Sequence, residues 1–379
     1  MTSREATTRA VSGAFTAING EPDLLAVERA LSELRRGRAV VVRGAGPAML
    51  VHSVEALTDD ALARLRATGV PPLALAVSAQ RARSLGSSTS GTAVVAVPVS
   101  MALEVLRELA GIGAPDRAPV HEPLAVLPCT DALEAAVALA RHARLVPAVV
   151  AVAMDPALPD ATLLEVGAAQ IDRFRAGGGR RLERVIRARV PLRDEEHCEL
   201  VLYRDTSADR EHLAILIGKL TPGAAVPVRV HSACLTGDVL ASLRCDCGDQ
   251  LRGAVRNMSK RGGGVLLYLD QEGRGIGLAN KLRAYALQDT GLDTFDADER
   301  LGFGPDERSF VEAAVMLRDL GIRRIRLLTN NPHKVDVLLR EGIEVEAREP
   351  IIGARNAHNH RYLDAKVLRA GHVVDDDAG

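Results

Sequence analysis

The chain of 379 residues contains no tryptophan, and aromatic residues make up only 2% of it. Its cores must therefore be packed largely from Ala, Val, Leu and Ile. Proteins that bind single-stranded nucleic acid without sequence preference stack successive bases on aromatic side chains. The shortage of such side chains argues against that function.

The chain also lacks an excess of charge of either sign, because 48 Lys and Arg balance 49 Asp and Glu and leave a formal net charge of -1. No global field attracts nucleic acid or an anionic membrane, so any anion site must be local. No apolar run approaches the roughly 20 residues that span a bilayer, and the opening MTSREATTRAVSGAF lacks a signal-peptide core. We predict a cytoplasmic protein with no nucleic-acid or membrane partner.

Cysteine is scarce, and its arrangement does not indicate a disulfide framework. The chain has five cysteines, an odd number, and three of them lie close together as Cys234, Cys245 and Cys247. A cytosolic chain with such a cluster is more readily explained by a metal site than by disulfides. Three soft ligands suit zinc.

The spacing C-x10-C-x-C leaves three interpretations open. No second closely spaced pair follows, which is consistent with an open zinc position that holds water. Such a water has its pKa lowered towards about 7 and can attack an electrophilic carbon. The alternatives are a structural zinc site with His231 as the fourth ligand, and buried thiols with no metal.

The pattern of apolar residues indicates two domains of the α/β (α+β) class, each a mixed sheet with packed helices. In the first half, helical patterns alternate with short apolar runs that are typical of strands. The helical patterns cover 23–36, 53–67 and 131–142, and the runs cover 39–42, 73–77, 92–97 and 146–154. We place the domains at 1–175 and 190–379, with a linker at 176–189 that begins in AGGG.

Two strand-to-helix turns in the second half suit phosphate. An apolar run at 265–269 leads into QEGRGIGLANKLRAYALQD, and another at 325–328 leads into TNNPHK. Backbone N–H groups at such turns point at a bound anion. Glu272 and Arg274 add a carboxylate for a base edge and a guanidinium for a phosphate, although an ordinary turn with a surface ion pair would show the same residues.

Asp306 and Arg308 are expected in the first turn of a helix that stops at Gly321. An arginine at the positive end of a helix is locally unfavourable, which invites a functional explanation. Two phosphate-type turns and a metal site in one domain suggest a nucleoside polyphosphate as the ligand.

The segments RVHSACLTGD, SLRCDCG, QEGRGIGL, NKLRAYALQD, DERLGFGPDER and LLTNNPHK closely resemble GTP cyclohydrolase II. This is the zinc enzyme that opens the imidazole ring of GTP at the start of riboflavin biosynthesis. The resemblance covers roughly 190–368 in unbroken order. It implies a second domain of the GTP cyclohydrolase II type and a homodimer.

The resemblance also implies roles for individual residues. Cys234, Cys245 and Cys247 become the ligands of one zinc, and Mg²⁺ is expected with the triphosphate or pyrophosphate. Asp306 becomes the proton acceptor, Arg308 the nucleophile towards the α-phosphate, and Tyr285 a residue needed for ring opening. The residues implied around GTP are Arg229, Val230, His231, Ser232, Gln250, Glu272, Gly273, Arg274, Thr294, Thr329 and Lys334.

The reaction that the resemblance implies is hydrolysis of GTP at guanine C8, with loss of formate and pyrophosphate, to a diaminopyrimidinone ribosyl phosphate. Two positions depart from the family. Ala233 stands where the family usually has Glu, and Asp270 where it usually has a basic residue. A variant that stops at partial ring opening or at pyrophosphate release is therefore an alternative, as is a non-catalytic GTP-binding zinc protein.

The first half faintly resembles 3,4-dihydroxy-2-butanone 4-phosphate synthase through ALSELRRGRAVVV and LEAAVALARHARLVPAVV. That family's acidic loop is replaced here by RGAGPAML from Arg43. Its metal-binding His is replaced by Ala132, and its late acidic residue by Val152 or a neighbour. Because Mg²⁺ requires oxygen ligands, we predict a synthase-like scaffold without synthase activity that serves dimerisation or stability.

Overall fold

The structure is a computed structural model, and it describes residues 22–113, 124–155, 162–177, 182–206, 209–351, 353–360, 364 and 368–369. The opening segment without a signal-peptide core and residues 178–181 of the predicted linker lie outside the described residues. Two compact units are present: Met1–Arg180 with Ala297–Gly304, and Arg181–Asp296 with Pro305–Gly379. Within the described ranges, no helix has the length and apolar character needed to cross a bilayer.

The first unit is built on a six-stranded sheet in the order β4-β3-β5-β2-β1-β6. β1 and β6 are parallel, and the other neighbours are antiparallel. Its elements are α1 (Pro22–Arg35), β1 (Val40–Arg43), β2 (Met49–Ser53), α2 (Asp59–Thr68), β3 (Gly69–Val77), α3 (Ala79–Ser84), β4 (Ala93–Ala96), α4 (Leu103–Leu109), α5 (Asp131–His142), β5 (Ala148–Met154), β6 (Leu164–Gly167) and α6 (Ala168–Arg175).

Alternation along these strands buries both faces of the sheet. Val42 packs in one core with residues of α1, α5 and α6, such as Ala136. Val41 packs in a second core with residues of α2 and α4, such as Leu106. The run of valines at Val40–Arg43 is thus explained by burial on two sides.

The second unit is built on a seven-stranded sheet in the order β13-β12-β10-β11-β9-β8-β7. The pairs β13–β12, β12–β10 and β10–β11 are parallel. The pairs β11–β9, β9–β8 and β8–β7 are antiparallel. The elements from residue 182 onward are β7 (Leu182–Arg189), β8 (Cys198–Asp205), β9 (Arg210–Gly218), β10 (Val226–Ser232), α7 (Cys247–Lys260), β11 (Gly263–Leu269), α8 (Leu278–Asp289), α9 (Thr294–Arg300), α10 (Val311–Asp319), β12 (Arg324–Leu328), α11 (Pro332–Arg340) and β13 (Glu344–Glu349). Two mixed sheets with packed helices confirm the predicted fold class.

Some elements differ from the sequence prediction. β2, β6, β10 and β13 were not predicted as strands, and Leu182–Arg189 forms edge strand β7 within the predicted linker. The helix predicted at 53–67 begins at Asp59, because the Thr58 side chain caps it by accepting from Ala61 N. Its first predicted residue, Ser53, instead ends β2.

The prediction that Asp306 and Arg308 lie in the first turn of a helix is wrong, because α10 begins at Val311. Backbone groups before it are engaged elsewhere. Glu307 N donates to Arg274 O at 3.1 Å, and Arg308 N donates to the Asp306 carboxylate at 3.1 Å. These bonds hold the segment against the glycine-rich turn in a non-helical form.

Candidate active site

The candidate residues gather where the parallel strands of the second unit end. β10 ends at Ser232, β11 at Leu269 and β12 at Leu328. The loops that follow these strands carry the first cysteine, the QEGR turn and the TNNP turn. The carboxyl edge of parallel strands is where α/β proteins commonly bind ligands.

The three predicted cysteine ligands come together. The Sγ atoms of Cys234, Cys245 and Cys247 all lie within 4.8 Å of one another, and those of Cys234 and Cys245 are 3.7 Å apart. Within the described residues, this is the one group of His, Cys, Asp or Glu side chains with metal-site geometry. His231 is not a member of it, which argues against its use as a fourth ligand.

The surroundings of the three thiols fit a metal ion. Gly237 N donates to Cys234 Sγ at 3.3 Å. A Cβ at Gly237 would lie 2.8 Å from Cys245 Sγ and 3.2 Å from Cys234 Sγ, so a larger residue would intrude on the thiols. Hydrogen bonds from Cys245, Cys247 and Lys281 lower the pKa of the Cys234 thiol, while burial opposes them. A thiolate is the form that binds a metal.

Asp238 organises Cys234, the first of the three cysteines, and its neighbours. Its carboxylate accepts from Cys234 N at 2.9 Å and from the Tyr268 hydroxyl at 3.0 Å. His231 Nε2 lies 3.1 Å from the same carboxylate and therefore donates to it. Nδ1 is then the acceptor nitrogen of a ring that is stacked on Tyr268. Burial lowers the pKa of His231, which favours this neutral form.

Lys281 lies beside the first ligand. Its Nζ atom contacts Cys234 Sγ at 3.0 Å, Thr236 Oγ1 at 2.8 Å and Glu272 Oε1 at 2.9 Å. Burial alone would lower the pKa of Lys281, but the hydrogen bond to Glu272 and the nearby negative groups raise it well above its usual value. The side chain therefore stays a cation.

Arg229 and Gln250 form a second connection to the cysteines. Arg229 donates to Leu328 O at 2.9 Å and to Gln250 Oε1 at 2.5 Å. Gln250 in turn donates to Asp246, which lies between Cys245 and Cys247 in the sequence. Burial lowers the pKa of Arg229 to about 10, so it is charged at neutral pH. Two predicted GTP residues are thus fixed relative to the three-cysteine group.

Arg308 and Asp306 form a bidentate ion pair. Nε donates to Oδ1 at 2.8 Å and Nη2 to Oδ2 at 2.6 Å. The remaining terminal nitrogen points to Ser232 Oγ at 3.4 Å. Arg308 and Lys334 each lie 5.2 Å from the Phe310 ring centroid. The two cationic side chains therefore lie close to the same aromatic ring, from where both can contact a bound anion.

The remaining residues predicted around GTP make fewer contacts with one another. Lys334 Nζ donates to Val230 O at 2.8 Å, while the Val230 side chain is in the core. Arg274 Nη1 donates to Pro305 O at 3.1 Å. Thr329 Oγ1 accepts from Asn331 N at 3.1 Å. Thr294 is buried at the start of α9 and, within the described ranges, makes no hydrogen bond to another candidate residue.

Comparison with known proteins identifies the family. Residues 183–350 match the sequence profile of GTP cyclohydrolase II. A GTP cyclohydrolase-2 of Azospirillum brasilense is 46% identical over 373 residues, which cover 93% of this chain and 95% of that protein. The chain belongs to the GTP cyclohydrolase II family. This confirms the predicted family and the prediction of an enzyme.

Two further similarities cover less of the chain or are weaker. A GTP cyclohydrolase-2 of Escherichia coli is 46% identical over 194 residues, which cover 51% of this chain and 98% of that protein. A solved two-domain 3,4-dihydroxy-2-butanone 4-phosphate synthase from A. baumannii has a TM-score of 0.32 and 19% identity, and the match covers 86% of this chain and 99% of that one.

In this member of the GTP cyclohydrolase II family, the sequence prediction omitted three side chains that organise the site: Asp238, Tyr268 and Lys281. Asp238 follows the first ligand by four residues, which was a usable signal. Tyr268 and Lys281 reach the cysteines from other elements, so their roles became visible only in the folded chain.

The glycine-rich turn gives a first testable prediction. Gly275 has φ +96°, and a Cβ there would lie 2.7 Å from Glu307 O, the residue between Asp306 and Arg308. Gly275→Ala should lower the free energy of unfolding by about 2 kcal/mol or more, since a left-handed backbone alone costs an L-residue about 1–2 kcal/mol. Urea unfolding of the purified variant measures this.

Gly291→Ala is the matched control. Gly291 has φ +103°, but nothing lies within 4 Å of the position that a Cβ would take there. This variant should show the backbone cost without the clash and should keep wild-type activity. Equal losses of stability in the two variants would contradict the proposed close approach of the turn to Glu307.

The Asp306 carboxyl gives a prediction on pH. Burial alone would raise its pKa, but the hydrogen bonds from Arg308 hold that pKa below its usual value of 3.8. A depressed folded pKa adds stability that is present above the unfolded pKa and is lost as pH falls through the folded pKa. Asp306→Asn should therefore be less stable than wild type at pH 7, and the gap should narrow below about pH 4.

Denaturant unfolding of wild type and Asp306→Asn at pH 7 and pH 3 tests this. A gap of the same size at both pH values would show that Asp306 does not carry a charge-dependent part of the stability.

Proposed function

We propose that the second unit hydrolyses GTP at guanine C8 and releases formate and pyrophosphate, leaving a diaminopyrimidinone ribosyl phosphate, the first step of riboflavin biosynthesis. Atoms balance with two waters at C8 and one at the α-phosphorus. The family supports this proposal. The observation that carries it is that the three thiols and the Asp306–Arg308 pair lie at one sheet edge, linked through β10 and its last residue, Ser232.

Cys234, Cys245 and Cys247 would hold one zinc ion. When bound, zinc lowers the pKa of a coordinated water and so supplies a nucleophile at neutral pH. The chain's own part is to hold the thiolates. Asp238 fixes the Cys234 backbone, and Gly237 keeps the space between the sulfurs free.

Arg308, Lys334 and Arg274 would face the triphosphate, with Mg²⁺ on the departing pyrophosphate. Asp306 accepts both an Nε and an Nη2 hydrogen bond, so it is placed to take a proton from Arg308. The freed nitrogen then attacks the α-phosphorus, the bond to the pyrophosphate oxygen breaks, and water later cleaves the P–N bond. Tyr285, one helical turn from Lys281, would serve ring opening.

The other predicted residues would line GTP: Arg229, Val230, His231, Ser232, Gln250, Glu272, Gly273, Thr294 and Thr329. Of these, Arg229 and Gln250 are held to each other, and His231 offers Nδ1 as an acceptor. The test is incubation of the full-length protein with GTP, zinc and magnesium. Formate, pyrophosphate and the diaminopyrimidinone should appear in equal amounts.

A second candidate is a variant that stops at partial ring opening or at pyrophosphate release. It is favoured by Ala233, which follows β10 without the family's usual carboxylate, and by Asp270, whose backbone N donates to buried His212 at 3.0 Å. Mass spectrometry of the products separates the two. Pyrophosphate without formate would establish the variant, and absence of any turnover would favour a non-catalytic GTP-binding zinc protein.

We propose that the first unit is a synthase-like scaffold without synthase activity, which supports stability or dimerisation. The Asp131 carboxylate accepts from Ala45 N at 2.9 Å and lies where a Cβ of Gly44 would be, so it fills the RGAGPAML loop. Ala132 and Val152 are buried apolar residues. The described residues of this unit contain no group with metal-site geometry.

The domain limits 1–175 and 190–379, a homodimer and a cytoplasmic location, with no nucleic-acid or membrane partner, are further proposals. Support for a homodimer comes from the family resemblance and from exposed apolar side chains between two ligands, namely Leu235, Val239, Leu240 and Leu243. Light scattering of the purified protein measures its oligomeric state.

A further inference from the structure

Lys281 is only 9% exposed, and all its hydrogen-bonding capacity is used inside the site. An ammonium has three protons to donate. Three acceptors surround Nζ, namely Cys234 Sγ, Thr236 Oγ1 and Glu272 Oε1, at 2.8–3.0 Å. The residue therefore bridges the first cysteine and the glycine-rich turn directly.

Glu272 extends this bridge on both sides. Its Oε2 accepts from Leu235 N at 2.6 Å, and Leu235 directly follows the first ligand. Its Oε1 accepts from Gly273 N at 2.9 Å as well as from Lys281. A carboxylate has about four acceptor positions. Donors among the described residues occupy three, which leaves one for a donor on a bound base.

The charges around Lys281 also favour this bridge between Cys234 and Glu272. Three thiolates around a divalent cation sum to -1, and Glu272 adds a second negative charge close by. Lys281 places a positive charge 3.0 Å from Cys234 Sγ. Hydrogen bonds to a metal ligand orient that ligand and tune the metal, and their loss typically costs 10- to 100-fold in metal affinity.

We propose that Lys281 is a positioning residue that couples the metal to the nucleotide. It holds Cys234 for the metal and Glu272 for the nucleotide turn, so occupancy of either site raises the affinity of the other. Such coupling is reciprocal by thermodynamic necessity. The proposal rests on the proposed function for the identity of the two ligands, zinc and GTP.

Two binding measurements on the full-length protein test it, and neither needs turnover. Zinc affinity is measured by competition with a chromophoric chelator, and binding of a non-hydrolysable GTP analogue by calorimetry with and without zinc. In wild type, removal of zinc should weaken analogue binding by about tenfold. In Lys281→Met, zinc affinity should fall by about 10- to 100-fold, and the analogue should bind equally with and without zinc.

Lys260→Met, at the exposed end of α7, is the control and should match wild type in both measurements. Lys281→Arg keeps a cationic donor and should retain most of the coupling. If Lys281→Met fails to fold, Glu272→Gln provides the test of the coupling instead. It keeps the shape of the Glu272 side chain but removes its negative charge, and it should also abolish the coupling.

Wild-type zinc affinity with intact coupling in Lys281→Met would overturn the proposal, as would intact coupling in Glu272→Gln. The failure of the proposed function looks different. A protein that shows the coupling but releases no formate from GTP would refute the hydrolysis while leaving the role of Lys281 standing.

Discussion

Cys245→Ser is expected to abolish zinc binding and to lower formate release from GTP by more than about a hundredfold. Cys245 is buried, and its sulfur lies 3.7 Å from Cys234 Sγ in the three-thiol group. A serine oxygen is a poor replacement for a soft ligand. Loss of a ligand should exceed the 10- to 100-fold cost that is typical for residues that only support ligands.

The measurements are zinc content by atomic emission and formate release by a coupled assay. Cys198→Ser is the matched control, because Cys198 is an equally buried thiol of the same unit that lies outside the group and donates to Glu195 O at 3.3 Å. It should retain zinc and activity. A Cys245→Ser protein that keeps stoichiometric zinc would contradict the assignment of the ligands.

Arg308→Ala is expected to lower GTP turnover by at least about a hundredfold to a thousandfold, because loss of the proposed nucleophile towards the α-phosphorus should cost no less than loss of one preorganised hydrogen-bond donor. The bidentate pair with Asp306 fixes the guanidinium, and its remaining nitrogen points to Ser232. Pyrophosphate release should fall most, because Arg308 is proposed to act on the α-phosphate. Steady-state assays of pyrophosphate and formate measure the two steps separately.

Arg308→Lys separates charge from geometry. A lysine keeps the positive charge but lacks the planar fork that pairs with a carboxylate at two points, so it should recover little of the lost pyrophosphate release. Arg256→Ala, a substitution on the surface of α7, is the control with unchanged turnover. Unchanged pyrophosphate release in Arg308→Ala would refute the catalytic role of this residue.

Local sequence patterns were sufficient to predict the elements whose apolar residues show a strong periodicity or a continuous run. The apolar runs predicted β5 and β11, and the alternation of strands and helices predicted the fold class. β13 was missed because its six residues, EVEARE, carry four charges on an edge strand. β6 was missed because it has only four residues and is defined by pairing with β1, more than a hundred residues earlier.

The candidate site could be predicted from the sequence to the extent that its residues lie in recognisable motifs. The three thiols met as their spacing and the family resemblance suggested. The supporting residues were not predictable in the same way, because Lys281 reaches Cys234 across 47 positions and gains its partners only when the chain folds. The non-helical segment at Asp306 was mispredicted because its backbone bond to Arg274 is a tertiary contact that helical periodicity does not record.

The most direct measurement of the central claim is formate release from GTP by the full-length protein before and after removal and restoration of zinc. We predict one zinc per chain, loss of formate release on removal with the circular dichroism spectrum unchanged, and recovery when one equivalent of zinc is returned. Formate release that continues at the same rate in zinc-free protein would contradict the claim that the three cysteines form a catalytic metal site.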